Sequence, residues 1–387
     1  MERRKNDMSI LGFGCMRLPK RGTGIDMREA EREIGYAISR GVNYFDTAYM
    51  YPGSEAALGT ILEKRGWRDR VLIATKMPHF LIKSMDGLEK LFAEQLTRLK
   101  TDHIDNYLMH MLPDVQVWRK LCDMGIRDWI SEKKEKGQIR HIGFSYHGNT
   151  ENFIKLLDAY DWEFCQVQYN YMDVNSQAGR KGVAYAAKKG IPVIIMEPLR
   201  GGRLVNNLPP KAEKLFAQAE PKRSPAEWGL RWLWNQPQVS VVLSGMNSMD
   251  MVKENIRIAN SARVGELTEE DKLLYKKVRR AINEKIKVPC TGCGYCQPCP
   301  AGVDIPGAFR CYNVSYTDNW FNGMREYVMC TTLKADRTNA SRCMKCGKCE
   351  QHCPQGIQIR RELDQVTKRM EGPVYKVAAA VTGRMFK

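Results

Sequence analysis

Two cysteine runs near the C-terminus, Cys290, Cys293, Cys296, Cys299 and Cys343, Cys346, Cys349, Cys353, almost repeat each other. Each last cysteine precedes proline (Pro300, Pro354) in a shared C-P-x-G-[VI]-x-I pattern. Three thiolates at i, i+3 and i+6 can wrap one face of a cubane, and a fourth before proline typically crosses to a neighbouring cluster. The spacing therefore predicts two 4Fe–4S clusters and one-electron chemistry. The expected sets are Cys290, Cys293, Cys296 and Cys353 for the first, and Cys343, Cys346, Cys349 and Cys299 for the second. One departure matters: the first run ends C-x2-C-P and the second C-x3-C-P. With Cys311 and Cys330 nearby, a ligand exchange at the first site stays open. Four disulfides or zinc sites are the alternatives for so many cysteines in C-x2-C pairs.

A second set of chemically capable residues stands at the ends of apolar runs. Asp46 and Tyr51 follow NYFDTAYMY, Lys76 ends LIATK and His110 ends NYLMH. Singly, such residues cap a helix or form a local salt bridge. Together they make a proton-delivery device. A buried Lys beside a Tyr is expected to lower the phenol pKa from about 10. An Asp holds the Lys charged, a His donates to a developing alkoxide, and the Tyr protonates a carbonyl oxygen as hydride arrives at carbon.

These groups need a scaffold. From residue 8 to about 262, eight apolar runs (SILGFGC, VNYFDTA, VLIATKM, IDNYLMH, IRHIGFS, FCQVQYN, PVIIMEP and VSVVLSG) alternate with helical patterns at about 28–40, 54–65, 84–99, 115–136, 150–160, 178–189, 225–236 and 248–260. Eight strand-then-helix units predict a (β/α)8 barrel of about 250 residues, with strand-end residues at its active face. Residues 18–26 read as a loop. A helix over 268–287 leads through Pro289 into a small, mostly helical ferredoxin-like domain, with a helical insert from Phe309 to Leu333. The expected domains are 1–285, 286–365 and a basic tail, 366–387. In that tail Val374, Val377, Ala378, Val381 and Met385 recur at helix spacing, for docking on the body of the protein or, alternatively, on a membrane surface or partner.

The 387 residues carry thirteen cysteines and a formal charge of +17. The longest apolar runs are far shorter than the roughly 20 residues of a membrane span, and nothing reads as an export signal, so a reducing cytoplasmic location is expected. Lys and Arg are scattered without a nucleic-acid motif. The charge suits a solvated surface that steers an acidic electron carrier, such as a ferredoxin or flavodoxin.

The segments FDTAYMYPGSE, IATK, YLMH, IGFSYHG, VQYNY, MEPLRGG and SGMNSMDMVKEN, in that order, resemble the aldo/keto reductase superfamily. With the cysteine-rich extension, nearly the whole chain is similar to its iron–sulfur-containing branch. The resemblance implies a catalytic tetrad of Asp46, Tyr51, Lys76 and His110. It implies that Ser145 and Gln166 hold a nicotinamide carboxamide, that Leu199 to Arg203, with Gly201, line the pyrophosphate, and that Glu254 and Asn255 contact adenine. Three departures stand out. Tyr146 replaces a common Asn, Met196 stands where an aromatic stacks on the nicotinamide, and Gly245 and Met251 stand where relatives clamp the NADP 2′-phosphate with cations. Lys253 or Arg257 could compensate.

A nicotinamide passes two electrons at once and each cluster one, a mismatch that flavin commonly bridges. The Gly201-Gly202-Arg203 loop and Ser244-Gly245 could instead cradle the phosphate of FMN. The leading expectation is therefore an oxidoreductase reducing a carbonyl or conjugated small molecule with NAD(P)H, coupled to electron transfer through the clusters. A carbonyl reductase with structural clusters and a non-catalytic redox-sensing subunit are the alternatives. His79, Tyr146, His147 and Tyr171 are candidate pocket walls.

Overall fold

The apolar runs become short parallel strands buried on both faces, as their Val, Ile and Leu content requires. The computed structural model describes residues 1–387 except 5–6, 207, 291, 293, 335, 354 and 384–387. Strands β1 (Arg3–Arg4) and β2 (Met8–Ser9) form one antiparallel ribbon, and β4 (Lys20–Arg21) and β5 (Gly24–Ile25) another. The second ribbon occupies the segment expected to be loop. The remaining strands are β3 (Leu11–Gly14), β6 (Tyr44–Asp46), β7 (Leu72–Met77), β8 (Ile104–Met109), β9 (Ile139–Tyr146), β10 (Phe164–Gln168), β11 (Val193–Met196) and β12 (Val239–Ser244). They pair in parallel and close into a barrel with β12 against β3. Tyr44, Ala74, Leu108, Phe164, Ile194, Val241 and Leu243 fill its interior with Met8 of the first ribbon.

Around the barrel lie α1 (Met27–Ser39), α2 (Ser54–Arg65), α3 (Met85–Leu99), α4 (Val115–Asp123), α5 (Ile126–Glu135), α6 (Thr150–Asp158), α7 (Gly179–Lys188), α8 (Arg203–Asn206), α9 (Pro210–Gln218), α10 (Pro225–Trp234) and α11 (Met249–Ser261). Side-chain caps start many of them, among them Asp26, Ser84, Asp114, Asn149, Ser224 and Ser248, each accepting a first-turn N–H. The single helix expected at 115–136 is two, because Gly125 takes φ 102° between α4 and α5.

Helix α12 (Glu269–Ile282), begun by a Thr268/Asp271 capping box, ends the first domain. The second contains α13 (Ile305–Thr317), α14 (Trp320–Thr331), α15 (Lys348–Gln351), α16 (Ile359–Met370) and α17 (Pro373–Gly383). The helical insert is thus the antiparallel pair α13–α14. Asn313 ties it to the entering chain, its Oδ1 accepting from Lys287 N and Val288 N at 3.0 Å and its Nδ2 donating to Val288 O at 2.7 Å. The boundary expected after residue 365 falls inside α16. The tail is not separate either: Tyr375 and Ala379 of α17 are buried in the core of the second domain. Its docking face is the opposite of the expected one, since Val374, Val377 and Val381 are exposed. Met385 lies outside the described residues.

Helix α2 packs against the end of α3 at Gly59, where a Cβ would fall 2.5 Å from Arg98 O. Backbone cannot yield as a side chain can. Gly59→Ala is therefore expected to destabilise the barrel by about 1–3 kcal/mol, read as a lower urea midpoint at constant slope. An unchanged midpoint would show that the helices separate freely.

Candidate active site and cluster sites

Asp46, Lys76 and His110 stand at the C-terminal ends of β6, β7 and β8, and Tyr51 on the turn before α2. Lys76 Nζ donates to Asp46 Oδ1 at 2.6 Å and to Thr47 O at 2.7 Å, and lies 4.9 Å from the Tyr51 ring centre. The Tyr51 and His110 rings stand perpendicular with centroids 6.2 Å apart. The structure thus gathers all four predicted residues. Burial opposes the Lys76 ammonium, but the Asp46 carboxylate outweighs it and holds its pKa above the ordinary value. Burial, then Lys76, pushes the His110 imidazole well below its ordinary value, leaving it neutral. The expected lowering of the phenol is not met. Burial raises the Tyr51 pKa, and Lys76 offsets only part of that. Tyr51 is consequently held protonated.

Ser145 and Gln166 are neighbours across the β9–β10 ladder. Ser145 Oγ accepts from Met111 N at 2.8 Å, which leaves its own proton to give. Gln166 Nε2 donates to Asp46 Oδ2 at 2.8 Å, while its buried Oε1 has no partner among the described residues. One donor beside one acceptor is the complement of a carboxamide.

The loops expected to carry phosphate are arranged differently. Arg203 is turned into the second domain, its Nη1 2.7 Å from Asp318 and its Nη2 2.6 Å from Glu326. Arg310 meets the other Glu326 oxygen at 2.5 Å. The cation between the two glycine positions is one the sequence reasoning passed over, Arg17. Its Nη1 donates to Gly201 O at 2.9 Å, and a Cβ on Gly201 would fall 2.7 Å from its Nη2 and one on Gly245 3.3 Å from its Cδ. Its place three residues after β3 was the available signal. Leu199 packs against α10, its Cδ2 2.4 Å from a Cβ built on Gly229. Asn255 Nδ2 donates to Ser244 Oγ at 2.9 Å, and Ser224 Oγ donates to Glu254 at 2.6 Å. Arg257 is held by Glu227 at 2.6 Å.

Among the candidate walls, Tyr146 and Tyr171 are fully buried packing residues, Tyr146 among Phe144 and Phe153 and Tyr171 against Phe216 and Tyr275. His79 lies beside the end of β8, its Nε2 3.4 Å from Met111 O, one residue after His110. Glu197, after β11, bears on Tyr51, and Glu326 in turn acts on Glu197. Through Asp318 and Glu326, which hold Arg203, the α13–α14 pair meets the loop after β11.

The described cluster cysteines fall into two groups. Cys290, Cys296 and Cys353 line one small recess with Ile305, Pro306, Phe309 and Ile357. Cys299 and Cys343 act on Cys349, whose thiol burial, then Glu350, then these two neighbours push up. Cys346 is exposed, and Cys293 lies outside the described residues. Cys311 and Cys330 line neither the recess nor the Cys349 neighbourhood, and Arg310 Nη2 lies 3.7 Å and 3.1 Å from their sulfurs. The recess thus sets Cys353 beside Cys290 and Cys296 among apolar side chains.

The aldo/keto reductase family model matches residues 10–271. The chain belongs to this family. A 4Fe–4S dicluster domain follows over residues 289–357. The Bacillus subtilis protein named uncharacterized oxidoreductase YqkF is 26% identical over 311 residues, covering 71% of this chain and 94% of its own length. The holo form of an aldo-keto reductase from Bacillus halodurans aligns with TM-score 0.59 and 26% identity, over 72% of this chain and 96% of that one. A Klebsiella pneumoniae aldo-keto reductase in complex with NADPH shares the fold at TM-score 0.56 and 22% identity, over 70% of this chain and 91% of that one. Among the described residues no helix is long and apolar enough to cross a membrane.

In this reductase barrel burial depresses His79 and His147 to about 4 from an ordinary 6.5. Their unfolded forms take up protons first, so their contribution to stability is complete above about pH 6.5 and is lost as pH falls towards 4. Glu33, raised by burial to about 7, acts oppositely over much of this range. His79→Gln should flatten the loss of urea stability between pH 7 and 5; an unaltered pH profile would mean that the imidazole is not buried in solution.

Proposed function

We propose that the protein reduces a carbonyl, or a conjugated C=C or C–O system, in a small molecule with Tyr51 as proton donor, coupled to one-electron transfer at two 4Fe–4S sites. The observation that carries this is the assembled tetrad: a protonated Tyr51 beside a Lys76 fixed by Asp46, with neutral His110 facing it. Lys76 stabilises the phenolate left after proton transfer, and neutral His110 supplies a hydrogen bond to the oxygen that gains charge.

A nicotinamide, when bound, would supply hydride to the reacting carbon. Ser145 would donate to its carboxamide and Gln166 Oε1 would accept from it. Arg17, with the backbone of Gly201 and Gly245, would take the phosphate, while Glu254 and Asn255 would face the adenine. The NADPH found in the Klebsiella relative supports the same class of cofactor here. The same cradle would serve FMN, whose absorption bands in the purified protein would identify it. At the second domain, Cys290, Cys293, Cys296 and Cys353, and Cys343, Cys346, Cys349 and Cys299, would hold clusters that pass single electrons. Exposed Tyr295 and Met344 on the two cysteine runs, within a chain of charge +17, suit docking of an acidic ferredoxin- or flavodoxin-like carrier in the cytoplasm.

Tyr51→Phe should cut carbonyl turnover by at least about a hundredfold while leaving cofactor affinity nearly unchanged. Retained turnover would remove Tyr51 as the donor. Arg17→Ala should weaken binding of a phosphate-bearing cofactor by roughly tenfold or more, as loss of a charge-assisted bond implies; unaltered binding would place the phosphate elsewhere.

Cys346→Ala is expected to lose one cluster's worth of iron and about half of the absorbance near 400 nm. An unchanged iron content would overturn its assignment as a ligand. Bleaching of that absorbance by NADH would show that barrel and clusters exchange electrons, whereas bleaching by dithionite alone would point to another donor.

A further inference from the structure

A cavity of about 540 Å³ lies between the barrel loops after β9 and β10 and the start of the second domain. Asn149, Gln177 and Arg180 line it from the barrel side, and Gly294, Arg310 and Cys330 from the other. Its volume is in the range of small-ligand sites. Neither the tetrad nor the cluster ligands use it.

Cys330 is one of a pair. Its partner is Cys311: the two lie on the packed helices α13 and α14, and neither is in a disulfide. The Arg310 guanidinium reaches both, with Nη2 3.1 Å from Cys330 Sγ and 3.7 Å from Cys311 Sγ. Arg310 is itself anchored by Glu326, so the cation stays where the sulfurs are. Burial pushes the Cys311 thiol up, whereas Cys311, and then Arg310, bring Cys330 below its ordinary value. A more acidic thiol open to a cavity, backed by a less acidic one, is the arrangement of an attacking and a resolving cysteine.

We propose that Cys330 and Cys311 form a redox-active thiol pair that exchanges two electrons with a small-molecule disulfide admitted to this cavity. The Cys330 thiolate attacks one sulfur of the incoming disulfide, forming a mixed disulfide and expelling one thiolate. Cys311 then attacks Cys330 Sγ, closing the protein disulfide and expelling the second thiolate. The Cys311 proton and one from solvent protonate the two leaving thiolates, so the small disulfide gains the two electrons that the pair loses. Arg180 and Arg310 favour a disulfide that carries carboxylates. Gly294 and Pro306 line both this cavity and the recess of Cys290, Cys296 and Cys353. On the two-cluster reading proposed above, the pair's two electrons correspond to one for each cluster.

The test uses anaerobic holoprotein incubated with glutathione disulfide or with dithiothreitol, acid-quenched, alkylated and mapped by mass spectrometry, with iron measured on the same samples. The expected result is a Cys311–Cys330 disulfide in most chains after glutathione disulfide and none after dithiothreitol, at constant iron. Cys311→Ser should trap one glutathione on Cys330, while Cys330→Ser should trap none on Cys311; both should keep the parent iron content. Two thiols that stay reduced, trapping spread over other cysteines, or iron lost from either variant would overturn the pair. A disulfide formed in protein holding iron for fewer than two clusters would sink the two-cluster reading and leave the pair standing.

Discussion

One carboxylate governs how the two domains meet. Glu326 on α14 takes Arg203 from the barrel on one oxygen and Arg310 from α13 on the other, with all three side chains nearly excluded from water. Burial alone would raise its pKa, but Arg310 and Arg203 hold it below the ordinary carboxylate range. Such an arrangement constrains orientation more than it adds stability. Its formation roughly balances desolvation, while removal of the shared anion would strand the buried Arg310 cation at a cost of about 3–5 kcal/mol and leave Arg203 with Asp318 alone. The seating of α13–α14 against the barrel, the field on Glu197 beside Tyr51, and the placing of Arg310 against two sulfurs all follow from it.

The legible parts of the sequence were those in which chemistry is tied to a local period. Eight apolar runs ending in polar residues marked the barrel and brought Asp46, Lys76 and His110 to one face. The cysteine spacing pointed to Cys353 as a neighbour of Cys290 and Cys296, and the three line one recess. What stayed hidden was pairing across the chain. Nothing local to Arg203 announces that its partners are Asp318 and Glu326, more than a hundred residues away. Tyr146 looked like a pocket wall at a strand end, yet its hydroxyl turns back to Asn149 O at 2.6 Å and its ring joins the core.

The Tyr51 phenol shows how burial decides a sign that charge alone would get wrong. A neighbouring ammonium favours phenolate, but the burial of the ring outweighs it and the neutral form prevails. The tail shows the same limit for patterning. Val374, Val377 and Val381 have the spacing of a buried stripe, but docking uses Tyr375, whose hydroxyl meets Thr332 Oγ1 at 2.9 Å, and Ala379. Periodicity reports that a helix has an apolar face; the partner available determines which face is covered.

The contact of α13–α14 with the barrel has a consequence for inheritance. In a barrel roofed only by its own loops, substrate preference drifts as those loops vary. Here the surroundings of Arg203 are written partly by residues more than a hundred positions downstream, in a domain matched by a different family model. Recombination between relatives with and without the extension would leave Arg203 facing solvent or Glu326 without its barrel cation. The two gene segments can diversify only in step, and substitutions at residues 197–203 should be matched by substitutions in α13 and α14.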